Sequence, residues 1–364
     1  MNTSLMPAEW HFQEAVLLAW PHPKTDWGPV LGDARDCFSR IIDAVARFQS
    51  VIVLLNDEKE DFPLNNFRYP ANIYPFIVPT NDTWARDFGP LVLKNGTRYK
   101  VLDFKFDGWG LKFAADKDNL VTRHLFRKNI FAASATYENH LDFVLEGGSI
   151  ESDGEGTILT TSKCLLSPNR NGSPARERIE DEIKTRLGAK RVLWIDHGHL
   201  AGDDTDSHID TLARFCNSET IAYVKCDDPD DNHFDDLRKM EQQLKEFITA
   251  EGHPYNLIPL PMAEPVKEEG CRLPATYANF LIINGAVLVP FYGSSKDALA
   301  KEALKEGFPE HEIIGIDCRP LIRQHGSLHC VTMQFPKGVL NKKTIRSVTQ
   351  KNPNHAQNRP YSAK

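Results

Sequence analysis

The chain has 364 residues, 41% of them hydrophobic and 26% charged, which is ordinary for a globular protein with a large buried core. A formal net charge of −7 speaks against nucleic acid or an anionic membrane surface as a partner. The seven cysteines are odd in number and form no CxxC pair, so neither a disulfide framework nor a cysteine zinc site is indicated.

In chain order, the N-terminal MNTSLMPAEW has neither the basic start nor the apolar run of a secretion signal, which predicts a cytoplasmic protein. Five segments predict helices: about Asp33 to Phe48, with Cys37, Ile41, Val45 and Phe48 on one face; Asp116 to Asn129; Ser173-Pro174 to Gly188; Asn232 to Ala250; and Ser295 to Glu306. A strand is expected after each: Val51–Leu55, Phe143–Leu145, Val192–Ile195, Leu257–Leu260 and Ile313–Ile316. Further strands are expected at Leu91–Leu93, Tyr99–Phe104, Thr157–Thr161, Thr220–Val224, Phe280–Ile283 and Ala286–Pro290. Phe280 to Phe291 is the longest apolar stretch; broken by Asn284 and Gly285, it is too short to span a bilayer. The rhythm of strands, one helix, one strand, repeated about five times, predicts an α/β chain. No Pro/Ser-rich linker divides it, so residues 1–345 read as one domain and 346–364 as a polar, frayed tail.

Four polar clusters stand out. The first, Asn81 to Pro90, joins Trp84, Arg86 and Asp87 to a Gly-Pro turn; a salt-bridged loop would explain it too. The second, Glu146-Gly147-Gly148-Ser149-Ile150-Glu151, sets a carboxylate before two glycines, which suits close approach of a ligand to backbone, or a tight turn. In the third, Asp203 to Asp210, His208 and Asp210 are two apart and share a side if the segment is extended. The fourth, Gln324 to Thr332, places Cys330 after a Gly-Ser turn and before an apolar strand.

Together with MPAEW, Trp20-Pro21, DGEGT and CLLSPNRN, these clusters resemble the agmatine deiminase family, which includes bacterial peptidylarginine deiminases. The motifs run in order from about residue 7 to 335. The resemblance implies a pentein fold, an α/β-propeller of five ββαβ-type units about a pseudo-fivefold axis, with the active site in the central channel. It implies Cys330 as nucleophile, His208 as general acid/base, and Asp87 and Asp210 as the carboxylates that hold a guanidinium. Trp84 becomes an aromatic wall, Glu146 a substrate-binding carboxylate, and Asp204 an acid near the substrate tail. The implied reaction hydrolyses agmatine to N-carbamoylputrescine and ammonia, a step of putrescine biosynthesis, without metal or other cofactor. The expected partner is a small cationic guanidine, and a homo-oligomer, dimer or larger, is open. Two departures flank the catalytic positions. Ser207 stands where many members have Gly, and Gln324 to Leu328 replaces a Gly-rich run with Asn.

The residue types suit that chemistry. A guanidinium is a planar cation whose paired N–H donors match carboxylates bidentately. Its central carbon is a poor electrophile, so a thiolate is called for. Three other readings remain. One is deimination of free or peptidyl arginine. Another is a metal-dependent hydrolase using His197, His199, Asp203, Asp204, His208 and Asp210. The third is a non-catalytic pentein-like binding protein, which would require an inert Cys330.

Overall fold

The structure is a computed structural model and describes residues 4–173 and 175–350. The chain forms a mixed α/β fold in which one motif recurs: an antiparallel strand pair, a helical crossover, and a third strand parallel to the second. Strands β1 (Gln13–Ala19), β2 (Ser50–Leu55) and β3 (Ile73–Ile77) are parallel and enclose helix α1 (Leu31–Ala46) between β1 and β2. The second sheet is β4 (Leu91–Asn95), β5 (Arg98–Lys105) and β6 (Ala135–Val144), with α2 (Val121–Arg127) in its crossover. The third is β7 (Ile150–Ser152), β8 (Thr157–Thr161) and β9 (Arg191–Ile195), with α3 (Arg176–Leu187). The fourth is β10 (Ala213–Asn217), β11 (Thr220–Lys225) and β12 (Asn256–Pro261), with α4 (Phe234–Glu246). A small hairpin, β13 (Lys267–Glu268) and β14 (Cys271–Arg272), precedes the fifth sheet. That sheet is β15 (Leu281–Ile283), β16 (Ala286–Phe291) and β17 (Glu312–Asp317), with α5 (Asp297–Gly307). Strand β18 (Met333–Pro336) then returns antiparallel to β1 and gives the first sheet the same pattern.

The central strands are apolar and β-branched because they are buried on both faces: Val51 to Leu54 and Ala286 to Val289 are each 1% exposed or less. Helix α1 buries Ala34, Cys37, Phe38, Ile41, Ile42 and Val45, the three-and-four spacing of an amphipathic helix. Neighbouring units interlock. Helix α4 packs on β9, α5 on β12, and Arg186 of α3 donates to Asp142 of β6. Helix α1 packs on β17, so the first unit touches the last. No helix among the described residues is long and apolar enough to cross a membrane.

Several boundaries differ from expectation for local reasons. Strand β3 is an edge strand and carries Pro75, so its sequence does not read as a central strand. Strand β6 begins at Ala135 instead of Phe143; its half with exposed polar residues carries no apolar signal. Strand β10 holds the fully buried Arg214, which breaks its apolar run. Helix α4 ends at Glu246, because the chain then turns back and Ile248 pairs with Pro254. A 3-10 turn, Asp118–Leu120, precedes α2. The chain around Lys342–Gln350 forms a further helix, α6, where the sequence reading begins a frayed tail; it rests on β3. Pro174 and residues 351–364 lie outside the described residues.

Helix α3 ends on Gly188 in the left-handed region, φ +69°, against the N-terminal segment. A Cβ at this position would stand 1.9 Å from the Ser4 carbonyl oxygen. Gly188→Ala therefore adds left-handed strain to a backbone clash, and we expect a loss of about 2 kcal/mol or more in urea unfolding. An unchanged unfolding midpoint would show that the Ser4 contact is dispensable.

Candidate active site

Four of the seven residues singled out in the sequence, Trp84, Asp87, Asp204 and Cys330, line one open cavity of about 400 Å³. Trp109 and Phe113 supply further aromatic wall, and Asp26 and Asp82 further carboxylates. His208 and Asp210 sit behind this lining, 1% and 0% exposed. They are close to it: His208 Nδ1 is 3.6 Å from Asp87 Oδ1, and Asp210 Oδ2 is 3.8 Å from Cys330 Sγ.

Each group is held by a specific local device. Asp87 lies in the short helix Ala85–Phe88 and accepts from Trp109 Nε1 at 2.9 Å and from the Gly148 N–H at 3.0 Å. Gly148 must be glycine: a Cβ there would lie 2.7 Å from His208 Nδ1 and 2.8 Å from Asp87 Oδ1. The EGG segment thus brings its backbone close to the His208 and Asp87 side chains, where the sequence reading had a ligand or a tight turn. Asp203 accepts from the Thr205 and Ser207 N–H groups and shapes the loop that presents His208. Cys330 is fixed by Asn279. The amide oxygen of Asn279 accepts from the N–H of His329 at 2.9 Å and of Cys330 at 3.3 Å, and lies 3.4 Å from Sγ. Its Nδ2 donates to the Asp210 carbonyl at 3.2 Å.

Glu146 is placed differently from the sequence expectation of a substrate contact. Both its oxygens accept from Arg170 Nε, at 2.8 and 3.0 Å, and its side chain is fully buried. Arg170 also donates to Asp206 Oδ2 at 2.6 Å and to the Thr205 carbonyl at 2.8 Å. Glu146 therefore acts from behind His208 as part of an ion cluster. The six candidate metal ligands are not gathered in one place: His197 and His199 face Asp236, at 3.6 and 2.8 Å, while Asp203 serves its own loop. The one metal-type grouping among the described residues is Glu146, Cys164 and His208, and Arg170 already occupies Glu146.

The electrostatics follow from burial and crowded carboxylates. Burial pushes Asp87 up to about 6, with Asp210 and Glu146 adding to the effect and His208 opposing it. Burial disfavours the His208 imidazolium, yet Asp87, Cys164 and Glu146 together outweigh it and hold the ring well above its ordinary value. Burial, then the Asp210 and Asp87 carboxylates, push the Cys330 thiol far up. Asp210 runs the other way: burial would raise it, but His329, through its hydrogen bond and charge, together with His208 and Arg214, keeps it low. At the cavity wall, burial raises Asp204 and brings Asp82 to about 7.

Sequence reasoning passed over Asn279, Trp109, Arg170, His329, Asp26 and Asp82. Asp82, Arg170 and His329 lay inside quoted motifs. Asn279 and Trp109 sit in ordinary apolar or glycine-rich stretches, with no local signal of their contacts. The motif departures have structural meaning. Ser207 has φ 67° and His325 φ 66°, both left-handed positions that glycine occupies freely. Gly326 lies against the Trp84 ring, 2.1 Å from a Cβ placed there.

These features agree with the relationships of the chain. Residues 5–336 match the Porphyromonas-type peptidyl-arginine deiminase family, and the chain belongs to that family of enzymes, hydrolases of guanidine C–N bonds. It is 54% identical to a Porphyromonas gingivalis protein provisionally named an arginine deiminase, over 93% of this chain and 100% of that one, with a TM-score of 0.89. The agmatine deiminase of C. jejuni, solved as a variant with substrate bound, is 39% identical over 92% of this chain and 97% of its own, with a TM-score of 0.86. A Vibrio parahaemolyticus protein provisionally named an agmatine deiminase is 33% identical over 91% of this chain and 96% of its own.

Ser207 yields a stability test. Its hydroxyl is buried without a partner and its backbone is left-handed. Ser207→Gly relieves both, against a larger chain entropy in the unfolded state. We expect a net gain of about 1 kcal/mol in urea unfolding. A loss of stability would mean that the hydroxyl makes a contact that matters.

Proposed function

We propose that this protein is an agmatine deiminase, releasing N-carbamoylputrescine and ammonia. The carrying observation is the cavity lining: Cys330 opens onto a cleft with aromatic walls and the carboxylates of Asp26, Asp82, Asp87 and Asp204, and the lining contains no Arg or Lys. A dication with a guanidinium at one end and an ammonium at the other matches this charge along its length. Free arginine would bring a carboxylate into the same acidic cleft without a cation to receive it. The cations around the cleft are committed elsewhere: Arg170 to Glu146 and Asp206, Arg86 to Gln334 and Glu9, and Lys112 to the Asp204 carbonyl and Asp206. The C. jejuni relative supports the same choice.

In this reading Asp87 and Asp210 hold the guanidinium plane, and Trp84 and Trp109 flank it. Cys330 Sγ attacks the central carbon and gives a tetrahedral adduct. His208, as imidazolium, protonates the departing nitrogen; the C–N bond breaks and ammonia leaves. A thiouronium remains on Cys330. Neutral His208 then takes a proton from water, the hydroxide adds to the same carbon, and the C–S bond breaks as the added hydroxyl loses its proton to solvent, which releases the neutral ureido product and restores thiolate and imidazolium. The carboxylates that hold the guanidinium also raise the free thiol, so the arriving cation reverses the field at Cys330 and favours the thiolate.

The same reading takes the five sheets as blades of a closed pentein propeller, supported by the packing of α1 on β17 and by β18 completing the first sheet. It takes residues to about 345 as one catalytic domain of a cytoplasmic enzyme.

Cys330→Ala should abolish turnover by several orders of magnitude, and a slow substrate should leave a Cys330 adduct visible by mass spectrometry. Turnover within about tenfold of wild type removes Cys330 as nucleophile. The ratio of kcat/KM for agmatine over arginine should be on the order of 10² or more. Equal or faster turnover of arginine or a peptidyl arginine would transfer the substrate assignment and leave the chemistry in place. The pH profile has a defined sign: Asp87 must be ionised to bind a guanidinium, so kcat/KM should fall as pH drops through about 6. A flat kcat/KM from pH 8 down to about 5 would contradict that role.

A further inference from the structure

Two buried groups are unused by the reaction above: His329, next to Cys330 in the chain, and Glu9 from the MPAEW segment. His329 is 1% exposed. Its Nδ1 lies 2.8 Å from Asp210 Oδ2, and its Nε2 lies 2.7 Å from Glu9 Oε2. A neutral imidazole has one donor and one acceptor nitrogen, so one of these contacts would set lone pair against lone pair. The environment of Glu9 decides where the protons sit. Its Oε2 also accepts from Arg214 Nη2 at 2.9 Å and lies 3.5 Å from Arg86 Nη2, while Oε1 accepts from the Ile282 N–H at 2.7 Å. Glu9 is thus surrounded by donors and stands as an anion.

A charge census agrees. The groups facing His329 or joined through its partners are five, Glu9, Glu151, Asp210, Arg86 and Arg214, with Cys330 beside Asp210 and the His208–Asp87 pair, one charge of each sign, also acting on Asp210. All five are 6% exposed or less. With His329 doubly protonated, three cations meet three carboxylates. With His329 neutral, one buried carboxylate is left uncompensated, a costly arrangement in a place closed to water.

We propose that His329 is a positioning residue, held as an imidazolium by Glu9, that orients Asp210 and assists ionisation of Cys330. The assignment rests on the reading of Cys330 as nucleophile and Asp210 as guanidinium ligand. Its hydrogen bond occupies Oδ2 of Asp210 and leaves Oδ1, which has no partner, for a guanidinium N–H. Its charge also offsets the carboxylate 3.8 Å from Sγ, which otherwise opposes loss of the thiol proton. The first sheet's N-terminal segment is thereby linked to the nucleophile through three side chains.

The direct test is nitrogen NMR of the histidine rings in the wild-type enzyme near neutral pH, with His329 assigned by through-bond correlation to its backbone. Protons on both ring nitrogens are expected; a singly protonated ring overturns the proposal. The second test uses Glu9→Gln and His329→Gln, checked first by thermal melting, and follows iodoacetamide alkylation of Cys330 against pH without substrate. The midpoint should move up by about one pH unit or more in each variant, with kcat falling more than KM rises. An unmoved midpoint in a folded Glu9→Gln enzyme overturns the proposal. Should neither variant fold, the wild-type NMR experiment still decides. Neither readout depends on which guanidine is turned over, so active Cys330→Ala enzyme would sink the reaction scheme separately.

Discussion

The structure turns on one buried, charge-balanced network at the meeting point of its five sheets. Glu9 precedes the first sheet, Arg86 leads into the second, Glu151 lies in the third and Arg214 in the fourth. The fifth supplies the Ile282 N–H, and also the Phe280 carbonyl that accepts from Arg214. Breaking such a set by removing one partner is far more costly than its presence is stabilising, because a lone buried charge is left behind. A network of this kind fixes how the units meet more than it adds to stability. Because the Arg86 N–H also donates to the Cys330 carbonyl at 3.1 Å, the same junction fixes the backbone at Cys330.

The site is built from carboxylates, and this shapes its chemistry. Asp87, Asp210 and Glu146 all bear on His208 or Cys330, and burial amplifies each charge. In an empty cavity that field favours an imidazolium and a protonated thiol. It suits a cationic substrate, which brings the missing positive charge with it. The committed pairing of Arg170 with Glu146 limits the negative excess without placing a cation in the cleft.

Strained backbone gathers at the same place. Trp109, Leu111, Asp206, Ser207 and His325 all have left-handed φ values. Trp109 aims its indole N–H at Asp87, and the Asp206-Ser207 pair turns the chain into His208. Side chains in left-handed positions cost of order 1 kcal/mol each and persist where surrounding contacts over-determine them. Lys112 is one such contact, tying the Trp109 loop to the Asp204 carbonyl and to Asp206 Oδ1.

The sequence by itself determined the α/β alternation, the five long helices and most of the buried strands, because apolar periodicity is a local property. It also carried the reactive groups, since a cysteine, a histidine and the aspartates keep their chemical character wherever they are placed. A glycine pair after a carboxylate is likewise a local sign of close backbone approach, but it did not say that the groups approached at Gly148 would be the His208 and Asp87 side chains. Partnership was decided only by the tertiary structure. Glu146 reads as a ligand carboxylate until Arg170, 24 residues away, is found on both its oxygens. Glu9 and His329 are 320 positions apart, and nothing local to either predicts their contact. Strands β3, β6 and β10 escaped for a related reason: a proline on an edge, polar residues on an exposed face and a paired arginine in the core hide the pattern that burial alone would produce. Strands β1 and β7 were missed as well, and for β1 the apolar run Ala15 to Ala19 was there to be read. Long-range pairing of charges is set by chain closure, and a linear pattern holds no record of it.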